Sequence, residues 1–97
     1  MTLKATARQA KLRKVLGDSL RDLRQLRGMS QQQLAGRAGV TQAAISNYER
    51  GTREPNVTGA MSLARALLVT LDELLSQVGE LYEAHVDGQL GTPDSVD

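Results

Sequence analysis

The chain has no cysteine, tryptophan or phenylalanine, and only one histidine. Without thiols there is no disulfide framework and no thiolate metal site. His85 alone cannot build a metal site, and no glycine-rich phosphate loop or nucleophile–base pair can be assembled, so neither a cofactor nor catalysis is expected. Tyr48 and Tyr82 are the only aromatics, too few for the stacking platforms that hold single-stranded nucleic acid, which disfavours RNA. No apolar run approaches transmembrane length. The basic N-terminal stretch lacks the apolar segment of a signal peptide, which predicts a cytoplasmic protein.

What remains is a chain of 97 residues rich in Leu, Ala, Arg and Gln, enough for one modest core. These residues favour helix and no alternating β-branched run is present, so the expected class is all-α. The net charge of +1 conceals a strong asymmetry. Residues 1–15 carry five Lys or Arg and no acid, whereas residues 72–97 carry seven Asp or Glu and no Lys or Arg. That layout suits a basic face turned toward nucleic acid and an acidic end turned away.

Leu12, Leu16, Leu20 and Leu23 make one apolar stripe. They predict a helix over Val15–Arg27, extending back toward Ala7, with Gly17 a weak point and Gly28 as a left-handed cap. Ser30 and Gln33 form a capping box for a second helix, whose inward residues are Leu34, Ala35 and Ala38 and which Gly39 ends. Thr41 caps a third helix with Ile45 and Tyr48 inward, ended by Gly51. Pro55 marks a loop. Asn56 starts a fourth helix reaching about Leu67, with Met61, Ala64 and Leu67 inward. Thr70 and Glu73 form a second capping box, and helical spacing then continues to about Val86. The chain therefore divides into a basic, partly helical extension (1–15), a helix-turn-helix domain (16–75), a helical extension (76–86) and a disordered tail (87–97).

The segment SQQQLAGRAGVTQAAISNYERG, residues 30–51, is the most informative. Two short helices crossing steeply need positive φ between them, which Gly39 supplies, and a small residue where they touch, which Ala35 supplies. With Ile45 and Tyr48 inward, the outward face of the third helix carries Ala43, Ser46, Asn47 and Arg50, with Gln42 at the tip. A helix presented this way fits the major groove of duplex DNA. Gln and Asn can pair bidentately with adenine and alanine methyls can touch thymine methyls, so Gln42, Ala43, Asn47 and, less centrally, Ala44 are the expected base readers, favouring A·T pairs. Gln31 at the start of the second helix, with Ser46, Arg50, Arg53 and Arg37, is an expected phosphate contact.

From about Leu16 to Leu75 the chain resembles the Cro and phage-repressor type, or XRE, helix-turn-helix family. The resemblance rests on Arg24, SQQQLA, the AGV turn, ISNYERG, Pro55 and LARALLVTLDELL. It implies a five-helix, lambda-repressor-like domain that binds double-stranded DNA, usually as a homodimer, most often to repress transcription. It also implies that Gln31 braces Gln42 and that Arg24 and Glu49 form a structural salt bridge. Three positions depart from the family pattern. Leu68 stands where glycine is usual, which suggests a cap of another geometry; Gly36 replaces a charged residue; and Thr52 replaces Lys or Arg.

Val78, Leu81 and Tyr82 lie beyond the minimal domain and are expected to support a homodimer, with a pseudo-palindromic operator of half-sites roughly 34 Å apart. The rival functions are an antitoxin of a toxin–antitoxin pair and a protein-interaction adaptor that kept the fold. The retained Gln31, Gln42, Asn47 and Arg53 argue against the adaptor.

Overall fold

A computed structural model of the chain describes the backbone of residues 3–90 and the side chains of residues 7–80. It contains five helices: α1 (Leu3–Leu26), α2 (Gln31–Ala38), α3 (Gln42–Arg50), α4 (Val57–Ala66) and α5 (Leu71–Leu90). No strand occurs among the described residues, and no helix there is long and apolar enough to cross a membrane. Both outer helices exceed the expected bounds. α1 starts before Ala7, and α5 continues past Val86 through the first four residues of the predicted tail. The rest of that tail, 91–97, lies outside the described residues.

Each helix sends at least one fully buried aliphatic into a single core: Leu20 from α1, Leu34 from α2, Ile45 from α3, Leu63 from α4 and Leu74 from α5. Leu67 joins them at the end of α4. Burying each side chain contributes roughly 1.5–3 kcal/mol. Leu16, Leu23, Val40, Leu71 and Leu75 pack around this centre. Met61, expected inward, is 51% exposed; Ala60, Leu63 and Ala64 take the inner face instead. α4 is apolar on more than one side, so its pattern does not single out the face that packs.

Four of the chain reversals turn on a residue with positive φ. At the end of α1, Gly28 N–H donates to Gln25 O and Met29 N–H to Arg24 O, both at 3.0 Å. This is the six-to-one, five-to-two pairing of a Schellman cap, which needs a left-handed residue. Gly28, Gly39 and Gly51 have φ of 69°, 72° and 77°. The fourth is Leu68, with φ 61° and the same pairing, Leu68 N–H to Arg65 O and Val69 N–H to Ala64 O. The suggestion of another geometry is therefore overturned: a side chain occupies the left-handed position itself, at a strain of about 1–2 kcal/mol. Arg27 closes the same end from α1, its Nε donating to Leu67 O at 2.7 Å and Nη2 to Leu68 O at 3.3 Å. Leu68 is 73% exposed, so its removal forfeits little burial. The Leu68→Gly variant is expected to gain about 0.5–1 kcal/mol, seen as a higher urea midpoint at unchanged slope.

The α5 capping box forms as predicted, Thr70 N–H donating to Glu73 Oε1 at 2.7 Å and Glu73 N–H to Thr70 Oγ1 at 3.0 Å. The Thr70 backbone donor, with its hydroxyl, holds the Glu73 carboxyl below the usual carboxylate range. Because the folded state favours the ionised form, this contribution is present at neutral pH and is lost as pH falls from the usual carboxylate range to below it, where folded Glu73 takes up its proton.

Candidate nucleic-acid interface

The supports of α3 come from three directions. At its start Thr41 is an extended N-cap whose Oγ1 accepts from Ala44 N–H at 3.0 Å. Before it, the Ser30–Gln33 capping box fixes α2, with Gln33 N–H on Ser30 Oγ at 3.0 Å and Ser30 N–H on Gln33 Oε1 at 2.8 Å. Gly39 turns the chain between them, and Val40 N–H returns to Ala35 O at 3.0 Å.

The second support is a buried polar network. Glu49 Oε2 accepts from Arg24 Nε at 2.6 Å and Oε1 from Arg24 Nη2 at 3.1 Å, a bidentate pair whose side chains are 12% and 4% exposed. Arg24 Nη1 also donates to Met29 O at 2.8 Å, at the turn after α1. Gln31 Nε2 donates to Glu49 Oε1 at 3.0 Å. The salt bridge implied by the family resemblance is present, and it is larger than implied. The brace from Gln31 to Gln42 is not seen among the described residues, because the Gln31 amide is turned inward to the carboxylate. Gln31 thus ties the start of α2 to the end of α3, and what α2 offers outward at that end is its first backbone N–H groups.

The third support was not anticipated. At Gly17 the backbone of α1 meets the end of α3. A Cβ there would collide with Tyr48 O and sit 2.7 Å from Glu49 O. One turn away, a Cβ on Gly51 would lie 3.1 Å from Lys14 Cα. The last turn of α3 is thus seated directly on the α1 backbone, and Gly17 marks a contact where the sequence suggested only a weak spot.

Along the outward side of α3, Gln42 and Ala43 are exposed, and Ser46 and Asn47 are half-buried. Ala44 is half-buried and packs against the core cluster. The far end is clamped. Arg50 Nη1 donates to Ser46 Oγ and Nη2 to Asn47 Oδ1 at 2.7 Å. Thr52 Oγ1 lies 3.0 Å from Asn47 Oδ1 and 3.1 Å from Asn47 O. Arg37 and Arg53 are exposed and make no ion pair among the described residues, so their charges face solvent. Within the basic N-terminal segment, Arg13 Nε pairs with Glu54 Oε1 at 2.7 Å and Lys14 Nζ with Asp18 Oδ1 at 2.9 Å, so part of its charge is answered locally. Val78 is half-buried and shares a groove with Leu12 and Leu16 of α1; the side chains of Leu81 and Tyr82 lie outside the described residues. The described residues hold no cluster of His, Cys, Asp or Glu arranged for a metal.

A helix-turn-helix family model matches residues 20–74, more than half of the chain. The chain belongs to the XRE-type helix-turn-helix family. It is 36% identical over 69 residues to an uncharacterized HTH-type transcriptional regulator, y4dJ, of Sinorhizobium fredii, covering 71% of this chain and 90% of that one. It is 37% identical over 70 residues to the HTH-type transcriptional repressor RghR of Bacillus subtilis, covering 71% and 52%. Among solved structures, the restriction-modification controller protein C.AhdI from Aeromonas hydrophila is similar at a TM-score of 0.63 and 37% identity, covering 67% of this chain and 97% of that one. The chain spans about half the length of several curated relatives it matches. As a member of this family it is a DNA-binding transcriptional regulator.

Proposed function

We propose that this helix-turn-helix protein binds a specific duplex sequence by laying α3 in the major groove, and that it represses transcription. One observation carries the reading: Gln42 and Ala43 stand exposed at the tip of a helix whose buried side is fixed by the core, the Arg24–Glu49–Gln31 network and the α1 backbone. A reader held this rigidly loses little freedom on binding. Gln42 pairs with a base edge and Ala43 touches a neighbouring methyl. Backbone phosphates are met by the N-terminus of α2 at Gln31, by Ser46 and Arg50, and by the solvent-facing Arg37 and Arg53. Repression asks nothing beyond occupancy of a promoter, which these helices supply. The Gln42→Ala variant is expected to lose about 1–3 kcal/mol toward the selected site, with random-duplex affinity unchanged, in fluorescence anisotropy at fixed salt. Equal losses on both duplexes would remove the reading, and a promoter-embedded operator that raised reporter output would reverse the sign of regulation.

We propose further that the protein acts as a homodimer on a pseudo-palindromic operator, and that the mate covers the outward face of α4. Val57, Met61 and Leu68 are large apolar side chains left exposed on that face and its cap. The α5 surface predicted from Val78, Leu81 and Tyr82 is the rival; there Val78 is half-buried at a groove it shares with α1. In sedimentation, Met61→Glu is expected to give a folded monomer, whereas Val78→Glu lowers subunit stability instead. A dimeric Met61→Glu alongside a folded, monomeric Leu81→Glu would return the interface to α5.

A further inference from the structure

We infer that Asn47 reads its base pair as a hydrogen-bond donor only, and that Arg50 and Thr52 are the positioning residues that impose this. The inference rests on the proposed reading of DNA by α3. A guanidinium carries five N–H donors and no acceptor, so the amide atom facing Arg50 Nη2 at 2.7 Å must be the oxygen. The amide orientation is thereby set by chemistry, and Nδ2 is turned away. The Thr52 hydroxyl approaches the same Oδ1 at 3.0 Å. A carboxamide oxygen offers two lone pairs: Arg50 fills one, and the single Thr52 hydroxyl proton is shared between the other and Asn47 O at 3.1 Å. Nothing among the described residues accepts from Nδ2, so its two hydrogens are what Asn47 brings to the groove.

This changes the base that fits. Bidentate recognition of adenine needs the amide oxygen to accept from N6 while the nitrogen donates to N7. With the oxygen occupied, adenine offers Nδ2 one acceptor beside an opposing donor. Guanine offers N7 and O6, two adjacent acceptors for two hydrogens. The predicted A·T preference is therefore replaced by guanine at this one position. Thr52 lies beyond the end of α3, so a residue outside the recognition helix selects the base.

Selected-site sequencing with the full chain tests this. The position read by Asn47 is the one whose preference disappears in Asn47→Ala. There the unmodified protein is expected to favour guanine over adenine by roughly tenfold. Thr52→Val, which keeps the shape and removes the hydroxyl, should reduce that ratio to about threefold or less, measured with both proteins well below their unfolding midpoints because the hydroxyl also bonds Asn47 O at 3.1 Å. Thr52→Ser should restore it, and the Arg50→Met, Thr52→Val double variant, which frees the whole carboxamide, should turn the preference to adenine. Adenine preferred by the unmodified protein, Thr52→Val indistinguishable from Thr52→Ser, or no position lost in Asn47→Ala would each overturn the inference while an enriched motif leaves the DNA reading standing. Absence of any enriched motif would overturn both.

Discussion

Gly17→Ala is expected to destabilise the protein by about 2–3 kcal/mol, although alanine is the better helix former. Replacing an interior glycine normally gains up to about 1 kcal/mol of helix propensity. Here the new methyl meets the Tyr48 and Glu49 carbonyl oxygens, which belong to backbone and cannot rotate aside. Overpacking of this kind costs about 1–3 kcal/mol where side chains can adjust and more where they cannot. The clash wins, and relief requires α3 to lift from α1. Specific DNA affinity should therefore fall even at temperatures where the variant remains folded. Gly36 supplies the opposing control: it is helical and exposed, and nothing lies within 4 Å of an added Cβ. Gly36→Ala is expected to raise stability by about 0.5–1 kcal/mol. Calorimetry on the pair would show one substitution with two signs, and a stabilised Gly17→Ala would contradict the described helix contact.

The second large effect belongs to Arg24 and Glu49. Removing either partner strands a desolvated charge. Glu49→Ala leaves the Arg24 guanidinium and the Gln31 amide without the acceptor they share. Arg24→Ala leaves a carboxylate that is 4% exposed with one neutral donor. Each single variant is expected to lose about 3–5 kcal/mol, a large share of the roughly 5–15 kcal/mol typical of a folded protein. The double replacement Arg24→Met with Glu49→Met should lose much less than the sum, because no charge is stranded. Specific DNA binding is expected to stay impaired in that double variant, since apolar packing does not reproduce the link from Gln31 through Glu49 to Arg24. Additive losses in chemical denaturation would argue that the two residues act separately.

These two cases show what the residue pattern discloses. Ser30 with Gln33, Thr41, Thr70 with Glu73, and the glycines at 28, 39 and 51 were readable because caps are local chemistry, decided within a few residues. Ile45 and Tyr48 followed from helical spacing once the caps set the boundaries. The packing of Ala44, the exposure of Met61 and the role of Gly17 depend on which helix crosses where, and spacing within one helix carries no such information. Leu68 shows a different failure. Its sequence argued against a left-handed cap, but the packing of α4 and α5 and the Arg27 hydrogen bonds hold it there. For the candidate interface, the identity of the outward residues on α3 was legible, whereas the orientation of the Asn47 amide depends on Arg50 and Thr52 together.

The burial of Tyr48 has a practical consequence. With no tryptophan in the chain, ultraviolet emission comes from Tyr48 and Tyr82 alone. Tyr48 lies on the buried side of the recognition helix, and its carbonyl is the nearest atom to where a side chain on Gly17 would begin. In a Tyr82→Phe background the protein carries a single native fluorophore at the joint between α1 and α3. Its emission and quencher accessibility would then report the seating of that helix directly, with or without DNA and with no label attached.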